Sequence, residues 1–432
     1  MLSAPPLPSA PPSPDPRRRL LLDLGASLLG GGLPVNDVEE ELRALGHALD
    51  APDTRVAALP TGLFVGLSAD DATAFQPVGG ALRFEQTTAI LDTMHRLRTG
   101  ALDGARAVDR TVDRTVDGAV AGAVAELNRI RRSPARWPAW VADFGSLPVG
   151  VGLCLYLQPG LHNVIAAAVG SLIVSLLTVL ARHWPPLRPL LPIVAGFTVS
   201  VLVLLLAKAS FLDGSLRTIV ATLAILLPGS LLVTGLSEVA TGATSAGAAR
   251  LTGGTVQLAL FIAGIAAAAT ATDSPASALA NVKVATAGWW GPTLGLALAL
   301  AGVMVNVHTP LSATPWIIGV VAVTCAVQIA VNGSSGAAIG GLAGAVTAAV
   351  AAGIAQRLPR GPLWQVTYLP AFWVLAPGSF GLLNTTTQIE AGGAGHSALI
   401  AVSAVFGVAV GTMIGSAVNR IPLAGLLARV QR

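Results

Sequence analysis

Hydrophobic residues dominate the chain after residue 137, in apolar runs of about twenty positions, the length a helix needs to cross a bilayer. Short polar or arginine-containing segments separate these runs. The pattern predicts ten membrane spans. Their approximate ranges are 145–158, 161–181, 189–208, 215–235, 252–271, 286–306, 314–332, 335–356, 366–386 and 397–418.

The residues before the first span have the pattern of a small soluble domain. Asn36 is predicted to cap a helix, with Glu39 three positions on completing a capping box. Residues 54–84 are rich in strand-forming positions, and 91–132 return to helical spacing. The proline-rich start cannot bury a core, so it is predicted to be disordered. The predicted organisation is a tail (1–16), a cytoplasmic α+β domain (17–136) and two five-helix membrane repeats (137–280 and 281–432).

Composition and charge agree with this division. The chain is 53% hydrophobic and only 11% charged, with a mean hydropathy of +0.70, values typical of a membrane protein. Arginines flank the apolar runs, and more of them fall on the side of the soluble domain, which predicts cytoplasmic N- and C-termini. This distribution argues against nucleic-acid binding. With five spans in each half, an odd number, the two halves must enter the membrane from opposite sides, so the repeat is predicted to be inverted.

The same tripeptide interrupts the fourth span of each half, as Pro228-Gly229-Ser230 and as Pro377-Gly378-Ser379. Proline and glycine together in a helix interior cost roughly 3 kcal/mol or more. Such a break persists in a membrane where protein or a polar cavity satisfies the freed backbone groups. Paired breaks therefore predict one shared site near the bilayer centre, although each could also be a kink that serves only packing.

Three polar side chains follow these breaks. Glu238 and Glu390 are predicted to lie near a membrane surface, where they could couple charge, gate the site or only mark helix ends. Asn384, in a polar stretch that ends the ninth span, could line the site or cap the helix. Four amides in or near spans are candidates for ordinary interhelical hydrogen bonds: Gln257, Asn306, Gln328 and Asn332.

Other chemistry finds no support in the sequence. No metalloprotease, serine-hydrolase or nucleotide-binding motif is present, so no catalytic residue, metal or cofactor is predicted. Cys154 and Cys325 lie in apolar stretches and are predicted to be packing residues. The row formed by Asp109, Asp113 and Asp117 is favoured as a solvated helix face over a metal site. The glycine ladders at 336–344 and 407–415 predict close helix packing.

The order of several short segments resembles that of a known family, the bacterial threonine/serine exporters. The segments are DVEEELRAL at 37–45, LNRI at 127–130, LPGS at 227–230 with Glu238 and Gly242, and APGS at 376–379. In that family a cytoplasmic domain precedes ten spans that form two five-span halves. The resemblance covers nearly everything after residue 17.

The resemblance implies a polytopic α-helical protein of the bacterial cytoplasmic membrane that exports threonine, serine or similar amino acids. Its partners would be the amino acid, the lipid bilayer, and protons or the membrane potential as the driving force. A homo-oligomer is left open. Two alternatives stand beside this hypothesis: an exporter of another small metabolite, and a ligand-sensing membrane protein gated by the cytoplasmic domain.

Overall fold

A computed structural model describes residues 15–69, 71–99, 116–279, 288, 290–335, 337–358, 361–362, 364–375, 407–415 and 417–419. The chain divides into two compact units. One unit comprises Met1–Leu82 and Gln86–Ser133, and the other comprises Arg83–Glu85 and Pro134–Arg432.

The first unit is α+β. Its elements are α1 (Pro16–Gly30), α2 (Val35–Ala48), β1 (Arg55–Leu59), β2 (Gly62–Gly66), β3 (Ala74–Pro77), most of α3 (Phe84–Arg98) and α4 (Val116–Arg132). The strands form an antiparallel sheet in the order β1-β2-β3. α1 carries leucines on several sides and is deeply buried, with Leu20, Leu24 and Leu28 fully inaccessible. At Gly25 an added Cβ would lie 2.7 Å from Leu42, so α1 and α2 meet closely there.

The start of this unit differs from the sequence prediction. Asp15 accepts a hydrogen bond from the Arg17 backbone N–H at 2.8 Å and caps α1, and Pro16 occupies its first turn. The predicted disordered tail therefore cannot extend to residue 16, and 1–14 lie outside the described residues. The prediction that Asn36 caps the next helix is also wrong. α2 begins at Val35, after Pro34, whose fixed φ already suits a helix start.

The second unit is helical throughout its described part. Its helices are α5 (Ala139–Asp143), α6 (Ser146–Leu157), α7 (Leu161–His183), α8 (Leu191–Lys208), α9 (Ser215–Leu223), α10 (Gly229–Ala240), α11 (Thr244–Ala271), α12 (Trp290–Asn306), α13 (Thr314–Ser335), α14 (Ala337–Arg357), α15 (Trp364–Leu375) and α16 (Gly407–Asn419).

Length and composition make this unit a multi-pass membrane structure. Within the described ranges, six helical stretches are long and apolar enough to cross a bilayer, and α9 with α10 forms a seventh if the bent pair counts as one span. α12 and α16 are shorter apolar helices. The structure thus supports a polytopic helical protein, while ten spans stay a prediction because α15 is described only to Leu375.

Glycines set the closest helix contacts. α6 and α12 cross at Gly152 and Gly295, where a Cβ on either would lie 2.5 Å from the carbonyl oxygen of the other. The ladder residue Gly415 brings α16 against α14, as the sequence predicts. The other ladder also accommodates polar side chains, since Asn332 of α13 packs over Gly340 of α14.

Candidate functional site

The predicted break in the fourth span is present. α9 tightens into a single 3₁₀ turn at Ala224–Leu226, and α10 starts at Gly229 after a bend of 63°. Pro228 explains the interruption, because it has no N–H to donate to the preceding turn. Pro228 and Gly229 are buried, whereas Ser230 at the start of α10 is exposed.

An amide from a neighbouring helix satisfies a backbone group that the break frees. Gln257 of α11 donates from Nε2 to the Leu226 carbonyl oxygen at 2.8 Å. A protein donor for such a carbonyl replaces the backbone N–H that the interrupted helix no longer supplies, which stabilises the bend. The interhelical role predicted for Gln257 is confirmed, and its partner is the break itself.

A pocket opens beside the same bond. Its volume is about 280 Å³, and it lies between the start of α8, the 3₁₀ turn and α11. The polar groups at its wall are Arg188 and Gln257, and the apolar ones include Leu226, Val256 and Phe261. The guanidinium of Arg188 donates to the Ala181 and Arg182 carbonyls, which fixes this cation at the pocket edge.

Glu238 forms a buried ion pair. Its Oε2 lies 3.0 Å from Nε of Arg250, and the two side chains are 1% and 13% exposed. The hairpin between α10 and α11 brings them together, turning at Gly242 with φ +95°, a backbone conformation that favours glycine. Removing one member of a buried pair typically costs about 3–5 kcal/mol, because the remaining charge is left buried without a partner. The hairpin therefore requires both residues together.

Small residues bring the two arms of the hairpin into contact. A Cβ on Gly235 would lie 2.9 Å from the Gly247 carbonyl oxygen, and one on Gly247 would lie 2.6 Å from the Val239 nitrogen. The broken span therefore presses directly on α11, which supplies both Gln257 and Arg250.

The second Pro-Gly-Ser motif is not among the described residues. Pro377, Gly378, Ser379, Asn384 and Glu390 all lie outside the described residues. Their predicted roles stay predictions.

Sequence reasoning missed a buried polar seam between α6, α7 and α9. Asn163 Nδ2 donates to Thr218 Oγ1 at 2.8 Å and to the Asp213 carbonyl at 2.7 Å. Further along α7, the hydroxyls of Ser175 and Ser146 are 2.5 Å apart. The signal was present in the sequence, since polar or small residues recur every four positions: Ser146, Gly150, Cys154 and Gln158; Asn163, Ala167, Ser171 and Ser175; Thr218 and Thr222.

Neither metal nor thiol chemistry gains support. Among the residues that the structure describes, no group of three or more His, Cys, Asp or Glu side chains could hold a metal ion. Cys154 and Cys325 are buried and unbridged.

In the first unit, an open pocket of about 270 Å³ has a charged rim that is compatible with a small ionic ligand. The rim residues are Arg18, Arg19, Asp23 and Gln76.

Comparison with known proteins identifies one family. Residues 19–272, more than half of the chain, match the model of the ThrE family, described as "Putative threonine/serine exporter". The matched part contains the first break, Glu238, Arg250 and Gln257. Searches of curated proteins and of solved structures gave no match.

Proposed function

Because this chain belongs to the ThrE family of threonine/serine exporters, we propose that it is a secondary exporter of threonine, serine or similar small amino acids. The observation that carries the proposal is the bent span at Pro228-Gly229, braced by Gln257 and tied to α11 by the Glu238–Arg250 pair. Discontinuous helices of this kind form substrate sites in many secondary transporters.

The proposed mechanism is alternating access around two breaks. The start of α10 offers backbone N–H groups at the positive end of a helix dipole, which suits a carboxylate. Ser230 and Ser379, with Asn384, would contribute polar groups from the two halves. Packing supports an internal repeat, because α8 meets α11 at Gly196 in the first half and α14 meets α16 at Gly415 in the second.

Glu238 is the leading group for coupling transport to a proton gradient or to the membrane potential, with Glu390 as its counterpart in the second half. Weakening the attraction between Glu238 and Arg250 would loosen the hairpin that carries them. Substrate transport and ion movement would then depend on the same hairpin of α10 and α11. The protein would act in the bacterial cytoplasmic membrane with both termini in the cytoplasm.

The test is efflux of labelled threonine and serine from cells with and without this protein, repeated after an uncoupler collapses the proton gradient. We expect protein-dependent efflux that the uncoupler abolishes. Unchanged efflux of both amino acids, with the protein verified in the membrane, would refute the proposal. A Ser230→Ala/Ser379→Ala double variant should lower transport at equal protein level, and normal rates in it would remove the paired-break site.

A further inference from the structure

A buried hydroxyl without a hydrogen-bond partner lies at the middle of α7. Ser171 is fully buried, and its Oγ makes no hydrogen bond within the described part of the chain. α7 has 23 residues, from Leu161 to His183, so each end is roughly 15–18 Å from Ser171 at about 1.5 Å per residue. In a helix that crosses the bilayer this is midplane depth, where secondary transporters bind substrate.

The surroundings place Ser171 beside the helix break. Ser171 Oγ packs directly against Gly150 of α6, and a Cβ on that glycine would lie 3.4 Å from Thr222 Cα, so the three helices converge there. Thr222 is the penultimate residue of α9, and its own hydroxyl is satisfied by the Thr218 carbonyl at 2.7 Å. The Ser171 hydroxyl therefore has no hydrogen-bond partner among the described residues, and it lies next to the bent segment.

The second half carries a similar hydroxyl. α13 follows α12 as α7 follows α6, and at its middle Thr324 is fully buried with no partner for Oγ1 in the described ranges. One turn on, Gln328 packs against Gly344, and that glycine also contacts Leu375, the last described residue of α15. Each half therefore carries an unsatisfied hydroxyl at the middle of its second span.

A buried hydroxyl without a partner loses hydrogen bonds to water and regains none, which disfavours the folded state. Such groups are uncommon in native proteins, and each one calls for an explanation such as a functional role or a bound partner. We propose, resting on the exporter function above, that Ser171 and Thr324 donate and accept hydrogen bonds with the transported amino acid. They favour a substrate with a hydroxylated side chain over one of similar size without the hydroxyl. When the substrate lacks its hydroxyl, the hydroxyls of the site stay unpaired, which weakens binding.

The test measures the ratio of labelled serine efflux to labelled alanine efflux in wild type, Ser171→Ala and Thr324→Val. Loss of one hydrogen bond should lower this ratio about three- to tenfold. Ser200→Ala is the matched control. Ser200 is equally buried and unpartnered, but it lies one turn from Gly196 on the row of α8 that faces α11, so its removal should leave the ratio unchanged.

Thermal unfolding separates recognition from packing. Ser171→Ala removes an unsatisfied polar atom, so the purified variant should unfold at the wild-type temperature or above it. A wild-type chain that exports neither threonine nor serine would defeat the exporter function, and this inference with it. Serine export by wild type with an unchanged ratio in both variants, or an equal fall in Ser200→Ala, would overturn this inference alone. Thr324→Val tests it independently should Ser171→Ala fail to fold.

Discussion

Replacing Gln257 by leucine should destabilise the broken span. The substitution keeps the approximate size of the side chain but removes the Nε2 donor that lies 2.8 Å from the Leu226 carbonyl oxygen. That carbonyl sits at the 3₁₀ turn before Pro228, where no following N–H is positioned to replace the amide. The carbonyl is only part-buried and lines the pocket, so losing its donor costs about 0.5–1.5 kcal/mol, the net contribution of a typical hydrogen bond.

Reversible unfolding in mixed micelles measures this cost directly. We expect Gln257→Leu to lower the free energy of unfolding by about 0.5–1.5 kcal/mol and to reduce efflux at equal protein level. Thr198→Val is the control, since its hydroxyl donates to the Val194 carbonyl of its own helix, which the helix already satisfies. Gln257→Leu as stable and as active as Thr198→Val would show that the amide does not hold the bend.

Three further predictions concern the hairpin and the first unit. Gly247→Val should destabilise the fold, by about 1–3 kcal/mol or more, because its side chain would enter the backbone of α10; unfolding measurements check this. Glu238→Arg and Arg250→Glu should each abolish efflux, while the double exchange should recover part of it if the pair acts through mutual charge. The hydrogen bond from the Arg17 side chain lowers the pKa of Asp15 in the folded protein. The ionised Asp15 therefore stabilises the fold fully above its unfolded-state pKa of about 3.9, and this stabilisation is lost as the pH falls through the lower folded-state pKa. Asp15→Asn should therefore unfold with a smaller pH dependence in that acidic range.

Local backbone chemistry is the part of this protein that the sequence predicts well. Pro228 and Gly229 determine the bend through a missing donor and a missing side chain, and neither effect needs a distant partner. The apolar runs likewise predict α7, α8 and α13 nearly to their ends. The ten spans and the inverted repeat stay predictions, because they depend on residues outside the described ranges.

Pairing across space is where the sequence prediction falls short. Glu238 was expected near a membrane surface with no assigned partner, and the structure gives it Arg250 because the turn at Gly242 folds the chain back. Ser171 carries no distinctive motif, since a serine inside an apolar helix usually bonds its own backbone. Its unsatisfied hydroxyl is visible only when α6 and α9 are packed around it. The α1 helix was missed for a related reason, because its leucines show no single apolar face and its burial comes from α2 and the sheet.

The most direct test of the exporter function uses purified protein in liposomes loaded with labelled threonine. An imposed proton gradient or membrane potential should drive release of threonine that depends on the protein, and Glu238→Gln should release it more slowly under the same gradient. Release equal to that of protein-free liposomes under both gradients, with the protein shown to be folded and inserted, would contradict the account.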